Sequence, residues 1–292
     1  MAEQWNDVTV IFRDSMEVHA ISGDAYQPIC MHSCAKPIQI LPLLEDKLDA
    51  KYGLTAKEIS FMASSHLAQQ EHMDVFLSIL EKTGLKESDM ILPNSAPQGK
   101  LSRALWHTKD GCLRKRYHPC SGNHLAMMLI QRELTSDVFG YEREDAAVQH
   151  RIMDRIRWLA DIKSGDLLVS TDGCGVPAFT LPAYQIASIY QNLAVLTQTE
   201  ASVCRLINAV HRYPRMIEGD QCIATVLNSQ PGIFAKTGSG GVLTVSLLEC
   251  QAGLIIKESN GWASVCGLLK DLFQRINILT PELRSEIDDC FR

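Results

Sequence analysis

A serine and a lysine three positions apart are the first candidates for chemistry in this chain. Ser33 and Lys36 form an S-x-x-K element at the start of a helix expected over residues 33–49. At that spacing the two side chains share a helix face, so the amine can reach the hydroxyl. A serine hydroxyl is a weak nucleophile until a neighbouring base takes its proton, and a lysine amine is one such base. The alternative is a capping serine followed by a surface lysine.

A second lysine motif lies near the other end of the chain. Lys236, Thr237 and Gly238 follow an apolar, strand-like run and precede a glycine-rich turn. An S-x-x-K element with a later K-T-G on a strand is the signature of serine β-lactamases and penicillin-binding proteins. The second lysine adds positive charge that can attract a carboxylate. The two motifs together favour nucleophilic serine catalysis, with a chance match as the alternative.

Three further segments combine hydroxyl, thiol, imidazole and carboxylate groups. They are Ser-Ser-His at residues 64–66, Tyr-His-Pro-Cys-Ser-Gly-Asn-His at 117–124 and Asp-Gly-Cys-Gly at 172–175. Each can also be an ordinary helix cap or turn. Cys120 and Cys174, with His118 or His124, are candidate zinc ligands because thiolates and imidazoles are the groups that zinc prefers.

Composition excludes several classes of protein. The 292 residues carry 28 Lys plus Arg against 34 Asp plus Glu, a net charge of −6, which argues against nucleic-acid binding. No stretch approaches the roughly 20 apolar residues of a membrane helix. The first residues lack the pattern of a signal peptide. The ten cysteines contain no C-x-x-C pair, so we expect reduced thiols in a cytoplasmic enzyme.

Hydrophobic patterning predicts strands near both ends of the chain and helices in the middle. Strands are expected at residues 8–12, 18–21, 166–170, 232–236, 242–248 and 253–257. Helices are expected at residues 33–49, 70–82, 121–134, 144–162, 182–196, 200–210 and 262–276. The predicted fold is α+β (mixed α/β), a single domain over residues 1–292. Its sheet lobe covers about 1–50 and 230–292, its mostly helical lobe covers about 51–229, and a site lies in the cleft between them.

Five motifs in order give the chain a family resemblance. They are H-S-C-A-K-P at residues 32–37, A-S-S-H at 63–66, C-S-G-N-H at 120–124, D-G-C-G-V-P at 172–177 and A-K-T-G at 235–238. In these motifs the chain resembles the rhizobial-type, or class 3, L-asparaginases, also called the asparaginase II family. The resemblance spans roughly residues 30–270.

The resemblance implies a fold, an activity and catalytic residues. The fold would be similar to serine β-lactamases and glutaminases, with an antiparallel sheet from both chain ends, flanking helices and a homodimeric assembly. The activity would be hydrolysis of a small-molecule side-chain amide, L-asparagine by default, through two serine–lysine tandems. Carried onto this sequence, one tandem is Ser33 with Lys36 and the other is Ser65 with Lys236.

The resemblance also implies a zinc ion and a set of substrate-binding residues. The family holds zinc with the cysteine and lysine of C-S-G-K-H and the cysteine of D-G-C-G. Cys120 and Cys174 match the cysteines, whereas Asn123 stands in place of the lysine. The remaining motif residues are expected to bind substrate, namely His66, Asn123, Asp172, Thr237 and Gly238.

Other departures from the family pattern surround the catalytic motifs. The family usually continues His66 into S-G-E, whereas this chain has Leu67, Ala68 and Gln69 there; His32 replaces a common arginine. These changes predict an altered pocket. The alternative substrates are another ω-amide, a γ-glutamyl amide or a peptide. A non-catalytic small-molecule or metal-binding homologue is a further alternative, against which the retention of all four serine and lysine positions argues.

Overall fold

The computed structural model describes residues 8–14, 17–108, 110–162, 167–258 and 262–290. Within these ranges the fold has eight strands and thirteen α-helices. The strands are β1 (Val8–Arg13), β2 (Val18–Ser22), β3 (Pro28–Cys30), β4 (Leu168–Thr171), β5 (Pro177–Pro182), β6 (Ile233–Gly238), β7 (Val242–Leu247) and β8 (Ala252–Glu258). The helices are α1 (Lys36–Gln39), α2 (Leu41–Glu45), α3 (Leu48–Lys51), α4 (Ala56–Met62), α5 (Gln70–Thr83), α6 (Lys100–Thr108), α7 (Ser121–Thr135), α8 (Ala147–Leu159), α9 (Ala183–Leu196), α10 (Ala201–Arg212), α11 (Ile223–Asn228), α12 (Trp262–Arg275) and α13 (Pro281–Asp289).

The main sheet joins the two ends of the chain. Its order is β2-β1-β8-β7-β6, and every neighbouring pair is antiparallel. Val10 of β1 lies opposite Ile256 of β8. The predicted α+β class, with an antiparallel sheet built from both chain ends, is confirmed.

Helices cover both faces of this sheet. In β8, Leu254 and Ile256 face a core formed with α11, α12 and α13, whereas Ile255 faces the larger core formed with the helices of the middle of the chain. Because successive residues of a strand point to opposite faces, covering both faces leaves no polar side chain in the run from Ala252 to Ile256. Helix α9 lies so close to β8 that a Cβ on Gly253 would come within 2.0 Å of the Ala187 carbonyl oxygen, so only glycine fits there.

The prediction of a single helix over residues 33–49 is wrong. The structure contains a 3-10 helix at His32–Ala35, followed by α1, α2 and α3. Pro37 and Pro42 each sit in the first turn of a short helix, where a missing N–H group costs least. Lys47 has a left-handed backbone conformation, with φ of 54°, which separates α2 from α3 and changes the direction of the chain between them. The consequence is a tightly turned segment that carries Ser33 and Lys36 to the site.

A small second sheet positions another part of the site. Its order is β3-β5-β4, antiparallel throughout. β3 leads directly into the 3-10 helix that holds Ser33, and the turn between β4 and β5 carries residues 172–176. Sequence patterning found β4 but not β3 or β5. Among the helices it also missed α4, α6, α11 and α13, most of which are short.

Two further features concern the described residues alone. None of the helices described is long and apolar enough to cross a membrane. All ten cysteines are free thiols, several of them buried in the core.

Candidate active site

Three separate parts of the chain meet at the end of β6. The 3-10 helix at His32–Ala35 packs against β6 so closely that a Cβ on Gly238 would lie 2.8 Å from the Met31 carbonyl oxygen. Cys34 Sγ lies 3.4 Å from the Lys236 carbonyl oxygen and 3.8 Å from that of Val242. The third part is the turn after α4, which contains Ser65. Glycine in K-T-G is therefore needed to bring the strand against the helix that precedes Lys36.

Ser65 lies between two buried ammonium groups. Its Oγ is 3.0 Å from Lys36 Nζ and 3.0 Å from Lys236 Nζ. The two lysines are only 3% and 0% exposed. A serine oxygen can accept two hydrogen bonds and still donate its own proton. Ser65 is thus a shared acceptor for both lysines, with its hydroxyl proton free to face the cavity.

A buried carboxylate balances the charge of Lys236. Glu218 Oε1 lies 3.7 Å from Lys236 Nζ, and both side chains are buried. Burial lowers the pKa of Lys236 and raises the pKa of Glu218, and the attraction between the two groups opposes both shifts. Lys236 also donates to the Thr237 carbonyl oxygen at 3.0 Å. These contacts hold the ammonium group against Ser65.

The expected hydrogen bond between Ser33 and Lys36 is not formed among the described residues. Lys36 Nζ instead donates to the Ser64 carbonyl oxygen at 2.8 Å, to Ser65 and to Cys120 Sγ at 3.3 Å. These contacts direct Lys36 Nζ towards the turn that carries Ser64 and Ser65. Ser33 itself faces the cavity.

A cavity of about 660 Å³ opens beside the two serines. Its lining joins the predicted motifs to residues from the last third of the chain. The lining residues are Ser33, Ser65, Leu67, Gln98, His118, Pro119, Cys120, Asp172, Gly173, Cys174, Glu218, Gln221, Cys222, Ile223, Thr237, Gly238, Ser239, Trp262 and Cys290. Of the residues expected to bind substrate, Asp172, Thr237 and Gly238 line the cavity, whereas His66 and Asn123 are buried behind it.

His32 keeps a positive charge where the family usually has arginine. Its Nδ1 lies 3.2 Å from Asp172 Oδ1. The hydrogen bond to Asp172 raises the pKa of His32 to about 10, with a smaller contribution from Cys30, against the opposing effect of burial. The same bond lowers the pKa of Asp172. A charged imidazole beside a cavity-lining carboxylate therefore replaces a guanidinium.

We expect His32 to titrate near pH 10 when its imidazole resonances are followed by NMR. The pKa of His32 is higher in the folded chain than in the unfolded chain, where it is about 6.5. The His32–Asp172 pair therefore stabilises the fold fully below about pH 6.5, and this stabilisation is lost as the pH rises through about 10. An Asp172→Asn variant should return the titration towards about 6.5. A wild-type midpoint near 6.5 would show that the pair does not form.

His66 supports the site from the core. It is 0% exposed, its Nε2 lies 2.8 Å from Ser121 Oγ, and its ring stacks on Phe61 with centroids 4.9 Å apart. Burial lowers its pKa well below the ordinary value, so the imidazole is neutral. Its Nδ1 accepts from the Ala68 backbone N–H at 3.1 Å. His66 therefore orders the turn that carries Ser65.

Cys120 and Cys174 lie side by side on the cavity wall. The hydrogen bond from Cys174 lowers the pKa of Cys120 well below the usual thiol value; burial opposes this shift and the Lys36 ammonium supports it. The same hydrogen bond, together with burial, raises the pKa of Cys174. The two pKa shifts are opposite in direction, so Cys120 loses its proton more readily than Cys174.

The surrounding donors do not fit a zinc ion. Within the described ranges, no group of three or more His, Cys, Asp and Glu side chains is placed to hold a metal. Asn123 is 1% exposed and its Nδ2 has no hydrogen-bond partner among the described residues. His118 Nδ1 accepts the Cys120 backbone N–H at 3.1 Å. Two thiols without a third protein ligand fall short of the three that even an open zinc site uses.

We expect protein purified without chelator to contain well under one zinc ion per chain. Asn123→Lys restores the family's third ligand and should raise the zinc content towards one per chain. The measurement is metal analysis of the two proteins prepared in parallel. One zinc per chain in the wild type, lost in a Cys120→Ser variant, would overturn this expectation.

The sequence motifs did not predict that Glu218 and most residues on the far wall of the cavity belong to the site. Glu218 lies in a mixed polar segment with Arg215, Asp220 and Gln221 nearby, so neither its surroundings in the sequence nor a spacing rule connects it with Lys236. Trp262 and Cys290 reach the cavity only because α12 and α13 pack beside α11.

Comparison with known proteins assigns the chain to a family. A sequence model of L-asparaginase II matches residues 1–292, and the chain therefore belongs to the L-asparaginase II family. No curated protein gives a significant match.

Solved structures share the fold at low sequence identity. Mglu in its tris and glutamate form has a TM-score of 0.51 at 14% identity, covering 94% of this chain and 60% of its own. Mglu in its native form has a TM-score of 0.50 at 13% identity, covering 94% of this chain and 66% of its own. A β-lactamase from Sphaerobacter thermophilus has a TM-score of 0.49 at 13% identity, with 94% and 92% covered. The present chain thus spans about two thirds or less of the length of those Mglu chains, and the Mglu likeness concerns the fold alone.

Proposed function

We propose that the protein hydrolyses a side-chain amide by serine–lysine nucleophilic catalysis, with conversion of L-asparagine to L-aspartate and ammonia as the reference reaction. The observation that carries the proposal is Ser65 Oγ at 3.0 Å from both Lys36 Nζ and Lys236 Nζ, beside a cavity that Ser33 also lines. A half-buried hydroxyl between two lysines has a clear use in proton transfer and no evident structural need.

Ser33 is the nucleophile in this proposal. Its Oγ makes no hydrogen bond among the described residues and faces the cavity, whereas Ser65 Oγ is engaged by two donors. Ser33 Oγ attacks the amide carbonyl carbon, and its proton passes to Lys36, which acts as the base in its neutral amine form. The Glu218 carboxylate favours the charged form of Lys236, so Lys36 is assigned the role of base.

Backbone N–H groups stabilise the oxyanion that forms during this attack. Ser33 stands near the start of a 3-10 helix, where N–H groups have no partner within the helix. Ser239 follows β6 directly and lines the same cavity. Two N–H groups converging on one carbonyl oxygen form the usual oxyanion site, and loss of one such donor costs about 10²- to 10³-fold in kcat.

Ser65 delivers the proton to the leaving nitrogen. Its hydroxyl donates to the nitrogen as the C–N bond breaks and is reprotonated from the lysines that hold it. Ammonia leaves, and an ester remains on Ser33. Water then attacks the ester, its proton returning through the same lysine, and aspartate is released.

Hydrolysis of a panel of amides, measured as release of the acid product together with ammonia or the amine, tests this proposal. The panel contains L-asparagine, L-glutamine, a γ-glutamyl amide and a simple dipeptide, each assayed with wild type and with a Ser65→Ala variant. We expect turnover of at least one amide, reduced by about 10²-fold or more in the variant because general acid–base catalysis contributes about 10²- to 10⁴-fold. Absence of turnover with every amide would contradict the proposal and favour a non-catalytic binding protein.

The assembly and location follow from the family resemblance. We infer a homodimer in the cytoplasm, without a nucleic-acid or membrane partner. Exposed leucines on and near α6 offer an apolar surface that such a dimer could bury: Leu101 is 70% exposed and Leu105 is 50% exposed. Light scattering coupled to size exclusion distinguishes a dimer from a monomer.

A further inference from the structure

The cavity is larger than free asparagine requires. Its volume of about 660 Å³ falls within the range of about 300–1,000 Å³ found for pockets that enclose drug-sized ligands. Asparagine is a small, wholly polar amino acid. The surplus space therefore calls for a second part of the substrate.

One side of the cavity has an apolar character. We call it the apolar wall, formed by Leu67, Cys222, Ile223, Trp262 and Cys290. Ile223 is only 6% exposed and belongs to the core beneath the sheet, against which Trp262 also packs. The wall is thus anchored in the fold and is not a set of mobile surface side chains.

The apolar wall adjoins the turn that carries Ser65. The Ser65 backbone N–H donates to the Ile217 carbonyl oxygen at 2.9 Å, and that of Leu67 donates to the Glu218 carbonyl oxygen at 2.8 Å. Leu67 Cδ1 lies 3.2 Å from the position of a Cβ on Gly219, and Cys222 and Ile223 follow a few residues later. Asp172, Cys120 and Cys174 belong to other segments of the cavity lining. Leu67 follows Ser65 by two residues in this turn, so a group attached to the nitrogen that Ser65 protonates lies within reach of the apolar wall.

We propose that the natural substrate is a side-chain amide whose nitrogen carries a bulky apolar group, and that Leu67, Ile223 and Trp262 select this group. The inference rests on the proposed amidohydrolase function. The chemistry stays balanced: Ser33 forms the ester, the C–N bond breaks, the leaving amine takes a proton through Ser65, and water releases aspartate. The class of product is therefore an apolar primary amine in place of ammonia.

A matched pair of amides tests this inference. L-asparagine and L-aspartic acid β-benzylamide differ only in the group on the nitrogen, and aspartate is the common product to be measured. We expect kcat/KM for the benzylamide to exceed that for asparagine by roughly 100-fold, since even one methylene in an apolar pocket gives about 10- to 200-fold.

Variants of the wall supply the second measurement. Trp262→Ala should lower the ratio of the two kcat/KM values by about tenfold, and Leu67→Ser, which introduces the family residue, should lower it in the same direction. Trp158→Ala is the matched control, because Trp158 is 57% exposed on α8 and lies outside the cavity lining; it should leave the ratio unchanged.

The outcomes separate the two proposals. Hydrolysis of both amides with a ratio near or below one overturns the apolar selection and leaves the amidohydrolase function standing. A high ratio that neither wall variant lowers also overturns it. No aspartate from either amide, together with no hydrolysis of any amide in the wider panel, overturns both.

Discussion

Ser33→Ala is expected to reduce kcat for amide hydrolysis by at least about 10⁴-fold, the scale seen when a nucleophilic serine is removed from a hydrolase. Without the Oγ there is no covalent intermediate, and Ser65 cannot replace it because both lysines hold its oxygen. Steady-state release of aspartate by the purified variant is the measurement.

The stability of the same variant separates catalysis from structure. Ser33 makes no side-chain capping hydrogen bond, so the free energy of unfolding should change by no more than about 0.5 kcal/mol. A capping serine would instead cost about 1 kcal/mol and leave kcat intact. Ser88→Ala, at an exposed position, serves as the control. Near wild-type turnover in Ser33→Ala would remove Ser33 from the mechanism.

Lys236→Met is expected to lower kcat by about 10³-fold or more while retaining most of the side chain's volume. The change removes one of the two donors to Ser65 and the cation beside Glu218. Breaking a buried charged pair by removing one partner costs about 3–5 kcal/mol, so stability should fall as well. Thermal or denaturant unfolding and steady-state kinetics on the same preparations report the two losses.

A double variant distinguishes the two effects of Lys236. Glu218→Gln added to Lys236→Met removes the unpaired carboxylate and should restore much of the lost stability without restoring kcat. If Lys236→Met alone keeps wild-type kcat, the second tandem is wrong. If the double variant recovers activity together with stability, Lys236 serves the fold and not the reaction.

Local spacing was enough to find the candidate catalytic groups. Ser33, Lys36 and Lys236 lie in short motifs whose backbone setting, a helix start and a strand end, is encoded within a few residues. Their contacts were not encoded in this way. The S-x-x-K spacing suggested a direct Ser33–Lys36 bond, yet Lys36 donates to Ser64 and Ser65, which lie 28 and 29 positions further along the chain.

The broad architecture followed from hydrophobic patterning for a similar reason. The runs in β7 and β8 are largely apolar because helices cover both faces of the sheet, and such runs are recognisable without knowledge of their partners. The broken segment after Ser33 was not recognised, because Pro37 and Pro42 are each compatible with a helix start and only tertiary packing selects several short turns. The apolar wall could not be predicted from the sequence either, because Leu67 and Trp262 are far apart along the chain.

The most direct test of the mechanism is to identify the residue that becomes acylated. Wild-type enzyme turning over L-aspartic acid β-benzylamide or L-asparagine is quenched in acid, digested and mapped by mass spectrometry. Serine–lysine catalysis as proposed predicts an aspartyl ester on the peptide that contains Ser33, absent from the Ser33→Ala variant. An ester on Ser65, a thioester on Cys120, or sustained turnover with no acylated residue would contradict it.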